Sequence, residues 1–466
     1  MEAKPEKSTR INHNGHHNNV GRGNGMGRRN QPKVVILGAG FGGLWAAHTL
    51  ATKPVDVAII DRNNYHTFFP LLYQVGAAEL EPEDIAQPVR RIFWRRPNLS
   101  IYLENVEQVD FSKRVVKMTD QEIPYDYLVV ALGSQPNFYG IPGATEYAFT
   151  LKSLDEGVAL RNHILYCFEQ ATCESDPQVR QRWLTFAIVG GGPTGVEFAG
   201  ALIELIRGSL KKDYQALRMS QVRVLLLEAY DHLLDGFPAP LSEYARKRLY
   251  EMGVDVHLSS QVVEISPASV SLKDGTALPC ATVIWTAGVF GNSLAQQWGL
   301  KTNRHSQVEV LPTLQVPDHP EVYVIGDLAA IQQDGHPLPM VAQVAIQSGE
   351  TAGLNILRQI NGQPVLPFHY RDKGMLAVIG RNAAAAYMWN RTFTGFLAWI
   401  IWLSVHIFYL IGFRNRLLVL INWAWQYIFF ENGVRLILPS PGLGRTKTAE
   451  AASPEQPNKI KQSEHH

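Results

Sequence analysis

The chain has 466 residues, of which 46% are hydrophobic and 18% are charged. At about 100–200 residues per domain, this length allows two to four domains with large buried cores. Lys and Arg total 43 while Asp and Glu total 42, and this balance argues against general nucleic-acid binding, which needs a basic surface. The three cysteines, Cys167, Cys173 and Cys280, are too few for a disulfide scaffold, which favours a reducing compartment. They also lack Cys-x-x-Cys spacing, which argues against a metal site.

The two ends of the chain are polar. Residues 1–31 are rich in Asn, Gly, His and Arg and contain no apolar stretch of the kind that a secretory signal needs. Residues 441–466 are similarly polar and end in two histidines. We expect both ends to be disordered tails, since neither can bury enough apolar surface to fold.

The first structural motif is a glycine-rich turn between a predicted strand at 34–37 and a predicted helix. A second strand, at 57–60, ends in Asp61, which lies 18 residues after Gly43. Such a Gly-x-Gly-x-x-Gly turn lets a pyrophosphate approach the helix N-terminus, and the acidic residue accepts hydrogen bonds from a ribose. The candidate residues of this dinucleotide site are Gly38, Ala39, Gly40, Phe41, Gly42, Gly43, Asp61 and Arg62.

The same pattern recurs after the strand at 186–189, and the next strand, at 222–227, ends in Glu228. A carboxylate at this point favours NADH over NADPH, because it would repel a 2′-phosphate. Two complete sites suggest two dinucleotides, and FAD with NAD(P)H permits hydride transfer between them. The candidate residues of the second site are Gly190, Gly192, Pro193, Thr194, Gly195, Glu197 and Glu228.

Three further strands end in small residues that would let the chain pass close to a nucleotide. A buried strand followed by an ordinary glycine turn is the alternative for the first two. The third, at 322–325, delivers Gly326 and Asp327 to a carboxyl end, where doubly wound sheets bind ligands; Asp327 would bond a ribityl hydroxyl or cap a helix. The candidate residues of these strand ends are Ala131, Leu132, Gly133, Ala287, Gly288, Gly326 and Asp327.

Four segments narrow the interpretation: Asn64–Val75, Ala342–Gln347 with its Ala-Gln-x-x-x-Gln pattern, Tyr370–Gly374 and Ile379–Arg381. With the glycine motifs, they make residues 33–440 resemble the type II NADH:quinone oxidoreductases, a branch of the flavoproteins with two dinucleotide-binding domains. The resemblance implies non-covalent FAD at the first site, NADH at the second and a membrane quinone as electron acceptor.

The resemblance also implies roles for five residues. Ala342 and Gln343 would lie beside the flavin, and Gln343 and Gln347, which share one helix face, would contact the quinone. Lys373 would place positive charge near the flavin, and Glu197 would take part in proton or quinone handling. From the residues alone, a solvated or helix-packing pair is the favoured interpretation of the glutamines. The alternatives for the other two residues are a carboxylate favoured by the helix dipole at Glu197 and a surface side chain at Lys373.

Near its C-terminal end the chain is strongly apolar. Residues 396–413 carry no formal charge, and residues 417–430 are again apolar and aromatic, with Arg414 and Arg416 between the two stretches. This pattern favours two amphipathic helices that lie in one leaflet as a monotopic anchor over a spanning helix. A buried homodimer interface is the alternative. We expect peripheral attachment to the cytoplasmic face of a cell membrane.

The predicted fold is α/β, with two Rossmann-type domains, one inserted in the other, and a helical anchor. We expect no proton pumping. The alternatives are a sulfide:quinone reductase and a flavoprotein redox sensor of low turnover. The predicted segments are a tail at 1–31, the FAD domain at 32–150 and 285–385, the NADH domain at 151–284, the anchor at 386–440 and a tail at 441–466.

Overall fold

The computed structural model describes residues 31–429 and 433–438. The fold below is that of the unit that begins at Pro32. The tails predicted at 1–31 and 441–466 lie, apart from Gln31, outside the described residues.

Two sheets built mainly from parallel strands dominate the described residues. Their strands, numbered along the chain, are β1 (Lys33–Leu37), β2 (Asp56–Asp61), β3 (Leu99–Leu103), β4 (Tyr127–Val130), β5 (Ala148–Phe149), β6 (Thr185–Val189), β7 (Arg223–Leu227), β8 (Asp255–His257), β9 (Thr282–Trp285), β10 (Gln315–Val316) and β11 (His319–Val324).

The first sheet has the strand order β10-β11-β4-β1-β2-β3. All neighbours are parallel except β10 and β11. Its central strands are continuous runs of Val, Ile and Leu, as expected where helices cover both faces of a parallel sheet. The order reverses between β1 and β4, which is where such sheets bind ligands.

The second sheet, β5-β9-β6-β7-β8, is entirely parallel and reverses between β6 and β9. Its strands fall between β4 and β10 along the chain, so the first sheet is completed only after the second is finished. Strand β5 and Trp285 of this sheet lie just outside the span 151–284, and the domain boundaries stay a prediction.

The helices that matter for the site connect or flank these sheets. They are α1 (Phe41–Leu50), α2 (Leu72–Gly76), α3 (Leu154–Cys173), α4 (Pro193–Leu205), α5 (Ala239–Glu251), α6 (Ala342–Ile360), α7 (Gly395–Tyr409) and α8 (Phe413–Phe429). Helices α1 and α4 each start at a glycine turn, as the sequence predicts.

Smaller elements fill the periphery. The short helices are Phe69–Leu71, Pro82–Ile85, Val89–Ile92, Ala144–Tyr147, Pro177–Trp183, Ile206–Leu210, Lys211–Asp213, Met219–Gln221, Leu294–Gln297 and Gly326–Leu328. The remaining strands are Tyr65–Thr67, Ala86–Pro88, Val106–Asp110, Val115–Met118, Glu122–Pro124, Ser134–Pro136, Val262–Ile265, Ser269–Leu272, Ala277–Pro279, Val289–Gly291, Val308–Glu309, Ala329–Ala330, Gln332–Gln333, His336–Pro337, Met375–Val378, Ala384–Met388 and Arg391–Thr394.

The apolar stretch at 396–413 forms a helix only as far as Tyr409, and Gly412, with φ +94°, turns the chain into α8. Within the described residues, neither α7 nor α8, nor any other helix, has the length and apolar character needed to cross a membrane. Ala398 and Trp402 of α7 are buried, whereas the opposite faces of both helices expose large apolar side chains. Those with about half or more of their surface exposed are Phe396, Leu397, Phe408, Phe413, Ile421, Trp425, Ile428 and Phe429.

Candidate active site

The first glycine loop, between β1 and α1, shows which glycines the protein itself requires. Gly38 has φ +98°, and a Cβ there would lie 2.5 Å from the carbonyl oxygen of Ala131; a Cβ on Gly43 would meet the carbonyl of Gly38. Gly40 has no atom within 4 Å of its Cβ position, and α1 begins at Phe41 without a side-chain cap. Open space beside free backbone N–H groups fits a phosphate.

The carboxylate of Asp61 lies against this loop. It accepts hydrogen bonds from the backbone N–H groups of Ala39 (2.6 Å) and Asn63 (2.7 Å). Burial raises the pKa of Asp61, and the two hydrogen bonds oppose that shift. Its neighbour Arg62 is exposed.

His66 is a site residue to which the sequence assigned no role. Its Nδ1 lies 2.9 Å from the carbonyl oxygen of Ala39, and burial lowers its pKa to about 4, so the ring is neutral. Its Nε2 is buried without a hydrogen-bond partner among the described residues. Because buried polar atoms are normally paired, this nitrogen indicates that a polar group of a bound molecule belongs beside it.

The second glycine loop repeats the first one in detail. Gly190 has φ +110°, and a Cβ there would lie 2.6 Å from the Cα of Ala287; a Cβ on Gly195 would meet the carbonyl of Gly190. Gly192 again has nothing within 4 Å of its Cβ position, and α4 begins at Pro193 without a side-chain cap. This loop therefore also fits a pyrophosphate.

Glu228 occupies the place that Asp61 has in the first site. Its two carboxylate oxygens accept hydrogen bonds from the backbone N–H groups of Gly191 and Tyr230. Gly288, with φ +144°, approaches the Tyr139 hydroxyl so closely that any side chain there would collide with it. The acidic residue that follows the second strand thus closes each glycine loop in the same way.

The ends of β4 and β11 meet through a polar chain. The Ser134 hydroxyl donates a hydrogen bond of 2.6 Å to Asp327, and the Lys152 ammonium donates one of 3.0 Å to Ser134. Burial lowers the pKa of Lys152, and the negative charge of Asp327 opposes that shift. Lys152 was missed because nothing local distinguishes it; only the fold brings it to Asp327. Ala131, Leu132 and Gly133 are half-buried at the same strand end.

The N-terminal part of α6 converges on this first site. The Gly326 N–H donates to the Ser348 hydroxyl at 3.1 Å. A Cβ on Gly42 would lie 3.1 Å from Ile325 and 3.4 Å from the carbonyl oxygen of Ala345. The structure therefore brings together the first glycine loop, the end of β11 and the Ala-Gln-x-x-x-Gln segment.

The two glutamines of α6 are in different states. The Gln347 amide donates to the Arg371 carbonyl and accepts from its N–H, each at 3.0 Å, so it fastens the following segment. Gln343, one residue after Ala342 at the start of the helix, donates to the Gly374 carbonyl at 3.3 Å. Its Oε1 is buried without a partner in the described part of the chain, which leaves Gln343 ready to bind a ligand.

Lys373 lies at the protein surface and reaches the C-terminal helices. Its ammonium donates a 2.8 Å hydrogen bond to the hydroxyl of Tyr409, the last residue of α7. The same cation lies 5.5 Å from the centroid of the Tyr409 ring. Lys373 therefore connects the segment after α6 to α7, and its contact with a flavin stays a prediction.

Glu197 lies in the second turn of α4 and is buried. Its Oε1 accepts hydrogen bonds from the Val378 N–H and from the Trp402 indole of α7, each at 3.2 Å. Burial raises the pKa of Glu197 to about 8, although both hydrogen bonds oppose the shift. A buried carboxyl group tuned to near-neutral pH is the kind of group that gives and takes protons in catalysis.

Glu197 lines a cavity that encloses about 520 Å³ of space, part of it open to solvent. Helices α2 and α4 form one side of this cavity and α7 and α8 form its roof. Its lining is Tyr73, Gln74, Glu79, Glu197, Ala201, Glu204, Val378, Gly380, Arg381, Trp399, Trp402, Leu403, Trp423, Gln426 and Tyr427.

Two acids of this cavity were missed from the sequence. Glu204 follows Glu197 by seven residues, and this two-turn spacing on one helix face is a signal that would have found it. Glu79 follows α2 and carries no local signal, because only the packing of α8 against it makes it part of a cavity. The structure thus adds two carboxyl groups to the one predicted.

Comparison with known proteins agrees with this geometry. The family model described as "Pyridine nucleotide-disulphide oxidoreductase" matches residues 32–349. A type II NADH:quinone oxidoreductase, Ndh, of Mycobacterium tuberculosis is 36% identical over 90% of this chain and 93% of its own length. Among solved structures, NDH2 from Plasmodium falciparum in complex with NADH superposes with a TM-score of 0.80 at 20% identity, covering 88% of this chain and all of that one.

The sulfide:quinone oxidoreductase of Aquifex aeolicus also has this fold, with a TM-score of 0.66 at 17% identity over 86% of this chain and 96% of that one. Its likeness shows the common architecture alone. Identity and coverage against Ndh decide the narrower assignment. The chain belongs to the pyridine nucleotide-disulphide oxidoreductases and, within them, to the type II NADH:quinone oxidoreductase family.

Proposed function

We propose that this protein oxidises NADH and reduces a membrane quinone through non-covalently bound FAD, without pumping protons. The balanced reaction converts NADH, a proton and a quinone into NAD⁺ and a quinol. One observation carries the proposal: Glu197, on the helix that starts at the second glycine loop, accepts a hydrogen bond from Trp402 of the apolar C-terminal helices. The NADH site and the apolar face therefore share a buried proton-holding group.

The first site would hold FAD. The N-terminus of α1 and the open space at Gly40 would receive its pyrophosphate, Asp61 a ribose hydroxyl, and Asp327 a ribityl hydroxyl. When bound, FAD would supply the two-electron redox chemistry that links the nicotinamide to the quinone. The unpaired Nε2 of His66 adds a polar atom beside this site.

The second site would hold NADH. Gly192 and the first turn of α4 would bind its pyrophosphate, and Glu228 would accept from the adenosine ribose. The Glu228 carboxylate, fixed by two backbone N–H groups, would repel a 2′-phosphate and so favour NADH over NADPH. Pro193 and Thr194 are exposed at the mouth of this loop, which suits a substrate that enters and leaves from water.

A quinone would be reduced between Gln343 and Glu197. The buried Oε1 of Gln343 would accept from a quinol hydroxyl, whereas Gln347, with its amide occupied by Arg371, would hold the segment in place. Glu197 would hold the proton that the quinone oxygen takes up, since its Oε2 has no partner among the described residues. This assignment gives the two glutamines different roles.

The exposed apolar faces of α7 and α8 would lie in one leaflet of a membrane, with Arg414 and Arg416 at the headgroups. This monotopic arrangement places the cavity roof next to the lipid in which quinones dissolve. The cytoplasmic face is the side that offers NADH. A homodimer through the same apolar faces is the alternative, and light scattering in detergent and in lipid nanodiscs distinguishes the two.

The test is an anaerobic titration of the purified protein with NADH, followed by decylubiquinone. The visible absorbance of oxidised flavin should disappear with NADH and return with the quinone. A redox sensor would stay reduced after quinone addition, and a sulfide:quinone reductase would be reduced by sulfide but not by NADH. The buried thiols weigh against the latter, because burial raises the pKa of Cys167 and of Cys280 to about 12 and keeps them protonated.

A further inference from the structure

The cavity under α7 and α8 contains more acid than the reaction at Glu197 uses. Glu204 lies two turns further along α4, about 10 Å away along the helix axis. Its Oε1 accepts a 2.6 Å hydrogen bond from the backbone N–H of Arg381. The Glu79 carboxyl group lines the same cavity and makes no hydrogen bond within the described part of the chain. Neither group has a role in the proposed reaction so far.

The helices of the roof hold this arrangement in place. The Gln426 amide of α8 donates to the backbone carbonyl of Glu79, and the Trp423 indole donates to Gln74 at 2.9 Å. The Arg381 guanidinium donates to the carbonyls of Gln426 and Tyr427 in the last turn of α8. Glu79 and Glu204 are therefore enclosed by fixed elements and not by a loose surface loop.

The two carboxyl groups influence each other. Burial and the charge of Glu204 raise the pKa of Glu79 to about 8, and the charge of Arg381 opposes the shift. Burial also raises the pKa of Glu204, against the hydrogen bond and charge of Arg381 and the charge of Arg248. Two such groups beside one cation cannot both ionise without cost, so the pair retains a proton at neutral pH.

The cavity itself connects this pair to Glu197 and to water, because all three carboxyl groups line it and part of it is open to solvent. The Tyr73 hydroxyl, which accepts from Gln74 at 3.0 Å, feels the charges of Glu197, Glu79 and Glu204 and can both take and give a proton. Beyond Glu204, Arg248 contacts the exposed Glu251 at 4.0 Å. The titratable and charged groups that face the pair are thus Tyr73, Glu197, Arg248, Arg381 and Tyr427.

We propose that Glu79 and Glu204 form a proton-loading pair, which supplies Glu197 with a new proton after Glu197 has given its own to the quinone. In each turnover an O–H bond breaks on Glu197 as one forms on a quinone oxygen, and the hydrogen that NADH gives up as hydride supplies the second O–H bond of the quinol. The pair then reprotonates Glu197 and takes a replacement from water. The electrons come from NADH through the flavin, so no further reductant is needed. This inference rests on the proposed function.

The experiment uses full-length, FAD-loaded protein, reduced anaerobically with excess NADH and mixed with decylubiquinone in a stopped-flow spectrometer between about pH 6 and pH 9, so that the first flavin reoxidation and the steady-state turnovers that follow are both recorded. Glu79→Gln and Glu204→Gln should leave the NADH step and the first flavin reoxidation unchanged and should each slow the later turnovers about tenfold, less than the hundredfold or more expected for loss of the direct proton donor. The deficit should be smallest at acidic pH, where water supplies protons readily. The double variant should be little worse than the slower single one, because the pair acts as a unit.

Glu122→Gln is the matched control, since it removes an exposed carboxylate whose only ion pair among the described residues is a 3.9 Å contact with Lys117. Steady-state turnover rates and pH profiles of Glu79→Gln and Glu204→Gln that equal those of this control would overturn the pair. If the wild-type protein itself is not reoxidised by decylubiquinone, the proposed function fails instead. Because Glu204→Gln keeps an oxygen that accepts from the Arg381 N–H, this variant removes the group that carries the proton without removing the contact.

Discussion

The two glycine loops are the same structure put to different uses. In each, the outer glycines are required by the backbone of the protein, the middle glycine faces open space, and an acid after the next strand accepts from a loop N–H. The difference lies in the helix that follows. Phe41 is buried, whereas Pro193 at the corresponding position of the second loop is exposed. Trp45 is the residue that corresponds to Glu197. The fold supplies the glycine loop twice, and under the proposed function the single residues after it would distinguish a closed cofactor site from an open, proton-handling one.

The largest effect is expected when a side chain fills one glycine loop and the other loop is left unchanged. Gly192→Val adds a side chain where the protein has no atom within 4 Å, so the fold should persist while pyrophosphate binding is blocked. We expect the KM for NADH to rise about a hundredfold with flavin content unchanged. Gly40→Val is the matched variant and should instead yield protein without flavin. Loss of flavin from Gly192→Val would show that the two loops are not independent.

The second largest effect is expected at Glu197, the position at which α4 differs from α1. Glu197→Gln should slow quinone-dependent flavin reoxidation about a hundredfold and leave flavin reduction by NADH intact. Because burial raises the pKa of Glu197 to about 8, the group is protonated below that pH and loses its proton above it. The wild-type quinone step should therefore decline as the pH rises through 8, and the variant should lack this decline. A pH profile shared by both proteins would exclude Glu197 as the proton donor.

The acids that close the loops offer a sharper comparison. Glu228→Arg removes the negative charge from the second loop and adds a cation that suits a 2′-phosphate. The ratio of kcat/KM for NADH to that for NADPH should fall about tenfold or more, equivalent to about 1.4 kcal/mol. Glu228→Gln, which retains acceptor capacity toward Gly191, should change the ratio less. An unchanged ratio in Glu228→Arg would mean that Glu228 does not face the ribose.

The parallel loops, their strands and the fold class could be predicted because they depend on local pattern: glycines that the backbone requires and runs of buried Val, Ile and Leu. The rest depends on distant partners. Lys152 and Glu79 have no sequence signal, since their positions follow from Ser134 and from α8. The sequence shows that the uncharged stretch at 396–413 is apolar, but it does not show where the helix breaks. Gly412, with φ +94°, sets that break.

Gln343 and Gln347 show the same limit at one motif. Their spacing predicts a shared face but not that Arg371 occupies one amide while the other keeps a buried, unpaired oxygen. Gln343→Ala should therefore raise the KM for decylubiquinone about fivefold, as expected for one lost hydrogen bond, and should destabilise the protein less than Gln347→Ala. Gln347→Ala should instead lower the free energy of unfolding by about 1 kcal/mol or more. If steady-state kinetics and thermal unfolding showed the reverse pattern, the roles assigned to Gln343 and Gln347 would have to be exchanged.

The smallest expected effect tests whether the apolar helices influence the proton-holding acid directly. Trp402→Phe removes the indole N–H that donates to Glu197, and that hydrogen bond lowers the pKa of the carboxyl group. The alkaline limb of the quinone step should therefore move upward, by less than about one pH unit. Trp423→Phe makes the same change in the other roof helix, where the indole donates to Gln74. A shift in Trp402→Phe and none in Trp423→Phe would assign the effect to one hydrogen bond, whereas equal shifts would assign it to general loosening of the roof.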